Sequence, residues 1–130
     1  MKKKVNIIQS YKDLKVWQKA IALVEFIYKE TASFPKEEVY CLTNQIRRCA
    51  ISIPSNIAEG SSRRSTKEFI RFVNISYGSL CELETQITIA DRLKYINRNK
   101  VLLLEQQTKE IGMILNGLRN SLYKKLNSEL

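Results

Sequence analysis

ISIPSNIAEGSSRRSTKEF, residues 51–69, is the stretch on which the fold turns. Ile53 and Ile57 continue an apolar stripe that starts at Leu42, Ile46 and Cys49, with steps of three and four that mark one face of a helix over about 37–59. Pro54 lies inside that pattern. It has no amide hydrogen and its ring meets the carbonyl of Ala50, at a cost of ~3 kcal/mol in a plain helix interior. Because the stripe continues beyond it, the spacing predicts a helix kinked near Ala50–Pro54, with Ser52 or Ser55 bonding the freed carbonyls. The other reading is a polar notch for a ligand, lined by Ser52, Ser55 and Asn56. Gly60 then reads as a left-handed C-cap. Ser65 with Glu68 at the third position reads as a capping box opening the next helix. Between them SSRRS forms a tight polar corner.

Outward from this corner the chain is helical almost throughout, with no sustained alternation and no hairpin signal. A first helix is predicted over about 13–32, capped by Asp13, with Leu14, Trp17, Ile21, Val24 and Tyr28 as its stripe and Phe34-Pro35 as its stop. Glu37 and Glu38 suit the N-terminus of the second. A third runs over about 66–95, with Phe69, Val73, Ser76, Leu80, Leu83, Ile87 and Ala90 in steps of four and three. A fourth runs over about 98–125 behind an Asn97 cap, with Val101, Leu104, Thr108, Ile111, Leu115, Leu118 and Leu122. Seams of this spacing pack at about 20°, and short connections make neighbours antiparallel. The expectation is an all-α, up-down-up-down four-helix bundle over 13–125 behind a basic tail, residues 1–12. Ile70, Phe72, Tyr77, Leu102, Leu103, Met113 and Ile114 lie off the seams. They imply either a wide core stripe or a second buried face, and with it a homo-oligomer.

The charge balance narrows the function. Among 130 residues, 22 Lys and Arg oppose 13 Asp and Glu, a net +9 with no histidine. Such an excess favours polyanions, either nucleic acid or an anionic surface. The missing histidine removes the usual general base and any His-containing metal site. Glu82 and Glu84, two apart on a helix, do not share a face. No phosphate loop, dinucleotide fingerprint or nucleophile elbow occurs, so no catalytic residue, metal ligand or cofactor is expected. No apolar run is long enough to span a bilayer, and no cleavable leader pattern follows the basic start. Cys41, Cys49 and Cys81 include no close pair and read as reduced, buried thiols of a cytoplasmic protein.

The cations have a distribution. Arg63 and Arg64 sit in the corner, and Lys67 and Arg71 follow on one face of the first turns of the third helix, whose N-terminus offers free amides. This is either a phosphate site or a solvated basic corner. Arg47 and Arg48 lie roughly 20 Å down the second helix. They either pair with Glu82 or Glu84 or extend the basic strip. Lys2, Lys3, Lys4 and Lys12 at one terminus and Arg119, Lys124 and Lys125 at the other come to the same end of an even-numbered bundle as the corner.

The segments YKDLKVWQKAIALV, LTNQIRRCAISIPSNIAEGSSRRSTKEFIRF and GSLCELETQITIA together resemble the bacterial four-helix-bundle family encoded in intervening sequences of 23S ribosomal RNA genes. The likeness spans about residues 11–125 and is most specific at SIPSNIAEG after Gln45-Ile46-Arg47-Arg48. It implies an antiparallel four-helix bundle assembling as a homopentamer, in a family with no established enzymatic activity. Accessory proteins of diversity-generating retroelements, which bind a reverse transcriptase and nucleic acid, are distantly similar. Positions matching the family are Trp17, Gln45, Arg47, Arg48, Ser52, Asn56, Glu59, Gly60, Arg64, Gly78, Ser79, Glu82 and Glu84, with Trp17 a core residue; Cys49 and Cys81 stand where small residues are expected. The leading expectation is therefore a basic oligomer binding nucleic acid, RNA before DNA, through backbone phosphates at Arg47, Arg48, Arg63, Arg64, Lys67 and Arg71. The alternative is an adaptor that recruits a protein such as a polymerase or reverse transcriptase. An open basic groove around Arg47, Ser52 and Asn56 would favour the first, and an apolar rim there the second.

Overall fold

The computed structural model describes residues 10–130, so Lys2, Lys3 and Lys4 of the basic tail lie outside the described residues. Four α-helices, α1 (Lys15–Thr31), α2 (Leu42–Ser62), α3 (Thr66–Arg92) and α4 (Arg98–Ser128), account for most of the chain. Short 3-10 turns at Tyr11–Asp13 and Lys36–Glu38 precede α1 and α2, and there is no strand among the described residues. Helix α2 packs on α1 and α3, and α4 on α3 and α1. Across α2 and α3 the contacts pair Cys49 with Ser79, Ile53 with Ser76 and Gly60 with Phe72, one number rising as the other falls.

The seams read from the sequence form the core on three helices. Ile46, Cys49, Ile53 and Ile57 of α2, Val73, Leu80, Leu83, Ile87 and Ala90 of α3, and Val101, Leu104, Ile111, Leu115 and Leu122 of α4 are all buried. On α1 the register differs by one residue. Val16, Ala20, Leu23 and Ile27 face the core, while Trp17 and Val24 are partly buried and Tyr28 is exposed. The two stripes lie about 100° apart on the helix and both are apolar, so packing rather than spacing chose between them. Among the off-seam residues, Ile70 and Phe72 are buried within the chain, whereas Leu102, Leu103 and Met113 remain exposed.

Several helix ends differ from expectation. Asp13 does not cap α1. Its carboxylate accepts from the Ser10 amide at 3.3 Å, closing the first 3-10 turn, and α1 starts two residues later. Glu38 serves α2 from outside the helix, its carboxylate accepting from the Leu42 amide at 3.1 Å. Helix α3 stops at Arg92 because Lys94 takes a left-handed backbone, φ 61°. The Lys94 and Tyr95 amides then reach back to Asp91 O and Ala90 O, each at 3.0 Å, in a Schellman closure built on lysine where glycine would carry no Cβ penalty.

Helix α2 runs unbroken through Pro54, which is buried. Ser52 bonds Cys49 O at 2.8 Å and Ser55 bonds Ile51 O at 2.8 Å, so neither takes the Ala50 carbonyl that the proline frees. Gly60 is likewise not a left-handed cap, since no glycine has a positive φ among the described residues, and α2 continues past it. Its role is close approach. A methyl group at Gly60 would stand 2.6 Å from Phe72 Cβ and 3.0 Å from the Phe69 ring. Cys49 is buried as expected and donates its thiol to Ser79 O at 3.0 Å, with burial, and secondarily the Glu82 charge, pushing its pKa up to about 11. Cys41 and Cys81, expected inside, are exposed, and all three cysteines are free.

Two substitutions test these ends. Gly60→Ala gains about 1 kcal/mol of helix propensity but overpacks a contact worth more, so a net loss of about 1–2 kcal/mol is expected in urea unfolding. Lys94→Gly is expected to raise stability by about 1 kcal/mol in the same assay, because it removes the left-handed penalty without touching the core.

Candidate nucleic-acid interface

The corner begins where α2 uses serines to close itself. Ser61 and Ser62 hydroxyls donate to Ala58 O at 3.2 Å and Glu59 O at 2.7 Å, and Arg63 leaves the helix with an extended backbone. Only Arg63, Arg64 and Ser65 separate the two helices. Ser65 caps α3 as expected, its Oγ accepting from the Glu68 amide at 3.2 Å. The return half of the box is absent, because the Glu68 carboxylate accepts from Arg71 Nε at 2.7 Å instead. That hydrogen bond is the main reason the Glu68 carboxyl is held below the usual range.

Two of the four corner cations are fastened down. The Arg71 guanidinium lies 4.5 Å and that of Arg63 5.3 Å from the centroid of Phe72, so one buried ring holds two cations in the geometry of a cation–π contact. Arg63 also pairs with Glu59, one turn back on α2. Arg64 and Lys67 are exposed and have no ion pair or hydrogen bond among the described residues. Glu59 and Glu68 thus offset Arg63 and Arg71, and the corner keeps the charge of Arg64 and Lys67. The end of α4 joins it. Thr66 donates to Glu129 at 2.9 Å, and Lys124 and Lys125 are exposed on the adjoining turns. Arg119 is tied between helices, donating to Asn74 at 3.1 Å and Asn116 at 2.6 Å.

The structure does not bring Arg47 to the corner. Its Nε donates to Thr31 Oγ1 at 2.8 Å, its Nη2 reaches Tyr28 O at 3.4 Å, and its guanidinium lies 4.6 Å from the Tyr28 ring centroid. It closes the C-terminal end of α1, where a cation suits the helix dipole. Arg48 is exposed, and neither arginine pairs with Glu82 or Glu84. In the suggested notch, Ser52, Ser55 and Asn56 all donate to carbonyls of α2 itself, Asn56 to Ser52 O at 2.8 Å. Arg47 and Lys36 line a groove of about 390 Å³ between the end of α1 and the start of α2, and Ile51, one turn on from Arg47, is exposed.

Sequence reasoning overlooked two partners. Phe72 is the platform for the corner arginines; its place beside Arg71 and off the seam was the available signal. Glu105 faces Glu84 across a groove of about 520 Å³ between α3 and α4. Desolvation, and then the Glu105 charge, raise the Glu84 carboxyl above its usual range. Lys109 lines the same groove, so the middle of the α3–α4 face carries mixed charge beside its basic end.

A small, basic, four-helix protein with an exposed, unpaired arginine and lysine at one interhelical corner is the class this geometry defines. A family model described as 23S rRNA-intervening sequence protein matches residues 12–117, and the chain belongs to that family. It is also similar to a protein of unknown function from the S23 ribosomal protein family of Bacteroides thetaiotaomicron VPI-5482. The two share 25% identity and superpose with a TM-score of 0.72 over 80% of this chain and 97% of the other. A comparison with curated proteins finds no match.

Glu84 sets a pH expectation. A carboxyl whose folded pKa is raised favours the folded state while protonated, and that contribution is lost as pH rises through the folded pKa. Glu84→Gln is therefore expected to raise the urea midpoint at pH 7 and to leave it nearly unchanged below the normal carboxylate range. Equal midpoints at pH 7 would show that the Glu84 charge carries no cost in the fold, from burial or from Glu105.

Proposed function

We propose that this chain is a non-catalytic nucleic-acid-binding protein that holds RNA, ribosomal RNA included, by its backbone phosphates at the α2–α3 corner. The observation that carries this reading is the uncompensated pair Arg64 and Lys67, exposed beside two arginines already anchored on Phe72. Phosphates can use those two cations without breaking an existing ion pair, and each neutralised phosphate releases condensed counterions. The family's connection with 23S rRNA genes supports RNA over DNA. Without histidine, the usual general base is missing.

In this reading the helices form an antiparallel up-down-up-down bundle, which the opposed numbering of the α2–α3 contacts supports. The protein acts in the cytoplasm as a homo-oligomer, and the family resemblance favours a pentamer. Exposed Leu102, Leu103 and Met113 on α4 supply apolar surface for such contacts. Repetition around a ring would multiply a modest corner into a high-charge surface. The surface at Arg47, Ser52 and Asn56 favours the second reading, an adaptor for a protein partner such as a polymerase or reverse transcriptase, since Arg47 is engaged with α1 there and Ile51 is exposed.

Fluorescence anisotropy with a ribosomal RNA hairpin, across a salt series, separates the two. Micromolar or tighter binding at low salt is expected. The double variant Arg64→Gln/Lys67→Gln is expected to weaken it and to flatten the slope of log K against log salt by about 2 per engaged protomer. No binding by the unmodified protein at 50 mM salt would leave the adaptor reading.

A further inference from the structure

Beside the corner, between the first turns of α3 and the last turns of α4, lies a groove of about 610 Å³. From α3 it is lined by Lys67, Ile70, Arg71 and Asn74, and from α4 by Tyr123 and Leu126. The α3 residues recur at three and four, so they share one helix face, and so do Tyr123 and Leu126. Ile70 is buried and Leu126 partly buried, which makes an apolar floor. Tyr123 keeps 43% of its surface exposed. Asn74 uses its Oδ1 to accept from Arg119, which orients the amide and leaves its NH2 group unpaired among the described residues. Glu68 also lines the groove, but its carboxylate is engaged by Arg71 at 2.7 Å.

We propose that this groove takes one unpaired nucleobase of a single-stranded segment, with Tyr123 as its stacking surface, the Asn74 amide donating to the base edge, and Lys67 on a flanking phosphate. The inference rests on the nucleic-acid reading above and sharpens it from any phosphate backbone to an unstacked nucleotide. Its basis is chemical complementarity. A nucleobase is a flat, largely apolar ring with acceptors at its edge and an anion on either side. The groove offers an aromatic ring, an apolar floor, one free amide donor and one uncompensated cation, Lys67, at its rim. A duplex keeps its bases stacked inside and cannot fill such a groove, so the groove discriminates strand state while the corner does not. Stacking on an aromatic side chain depends little on base identity, and weak sequence preference follows.

The test uses the full chain and two RNA probes of equal length, a single-stranded 12-mer and a 12-base-pair duplex, each labelled with fluorescein. A second single strand carries 2-aminopurine, whose fluorescence falls on stacking. Tyr123→Ala is expected to cut single-strand affinity about 5- to 100-fold and to abolish the 2-aminopurine quenching. Duplex affinity and the salt slope should hold, and Tyr123→Phe should restore both single-strand readouts. Asn74→Ala should lower single-strand affinity without changing the salt slope. Single-strand binding that is indifferent to Tyr123→Ala, with no 2-aminopurine quenching, overturns the pocket and leaves phosphate binding at the corner standing. Absence of binding to either probe overturns both. Thermal melts of each variant, expected to match the unmodified protein because Tyr123 is half exposed, exclude misfolding as the cause of a loss.

Discussion

The near-contact of α2 with α3 at Gly60 and Phe72 is the constraint on which the rest of the molecule depends. With no side chain at 60, Phe72 Cβ can sit where a methyl group would otherwise stand. Farther along the pair, Ser76 donates to Ile53 O at 3.0 Å, a buried bond between a side chain of one helix and the backbone of the other. Cys49 makes the same kind of bond to Ser79 O. Small residues thus let the two backbones approach, and hydroxyl and thiol donors satisfy carbonyls that a purely apolar seam would leave to the helix alone. Because the helices are close, three residues suffice to join them, and the corner is short enough to hold its arginines over one ring.

That geometry also decides which charges are available. Phe72 and two carboxylates immobilise Arg63 and Arg71, so these shape the local field while Arg64 and Lys67 remain open to a ligand. Arg47, which looks like part of the same basic strip in the sequence, is committed to the end of α1. Along α3 and α4 the charges become mixed, from the lysines and arginines near the corner to Glu84, Glu105 and Lys109 midway.

Much of this was legible from residue spacing. The seams of α2, α3 and α4, the Asn97 and Ser65 caps and the corner between two helices follow from local periodicity and capping chemistry. What was misjudged shares one feature, a choice among neighbours that local rules leave equal. The α1 seam could be Trp17-Ile21-Val24 or Val16-Ala20-Leu23, and only the partner helices separate them. Gly60 carries the same letters whether it reverses a backbone or admits a ring from another helix.

The sequence by itself determined an all-α chain with four long amphipathic helices, a net charge of +9 and no histidine chemistry, because periodicity, caps and charge are properties of the residues alone. Only the tertiary structure decided which cations are free, which cysteines are exposed and which aromatic rings serve as platforms. Each of those depends on what another helix places within about 4–6 Å, the range over which ion pairs and ring–cation contacts act. Distances of that kind between residues tens of positions apart exist only once the helices have packed.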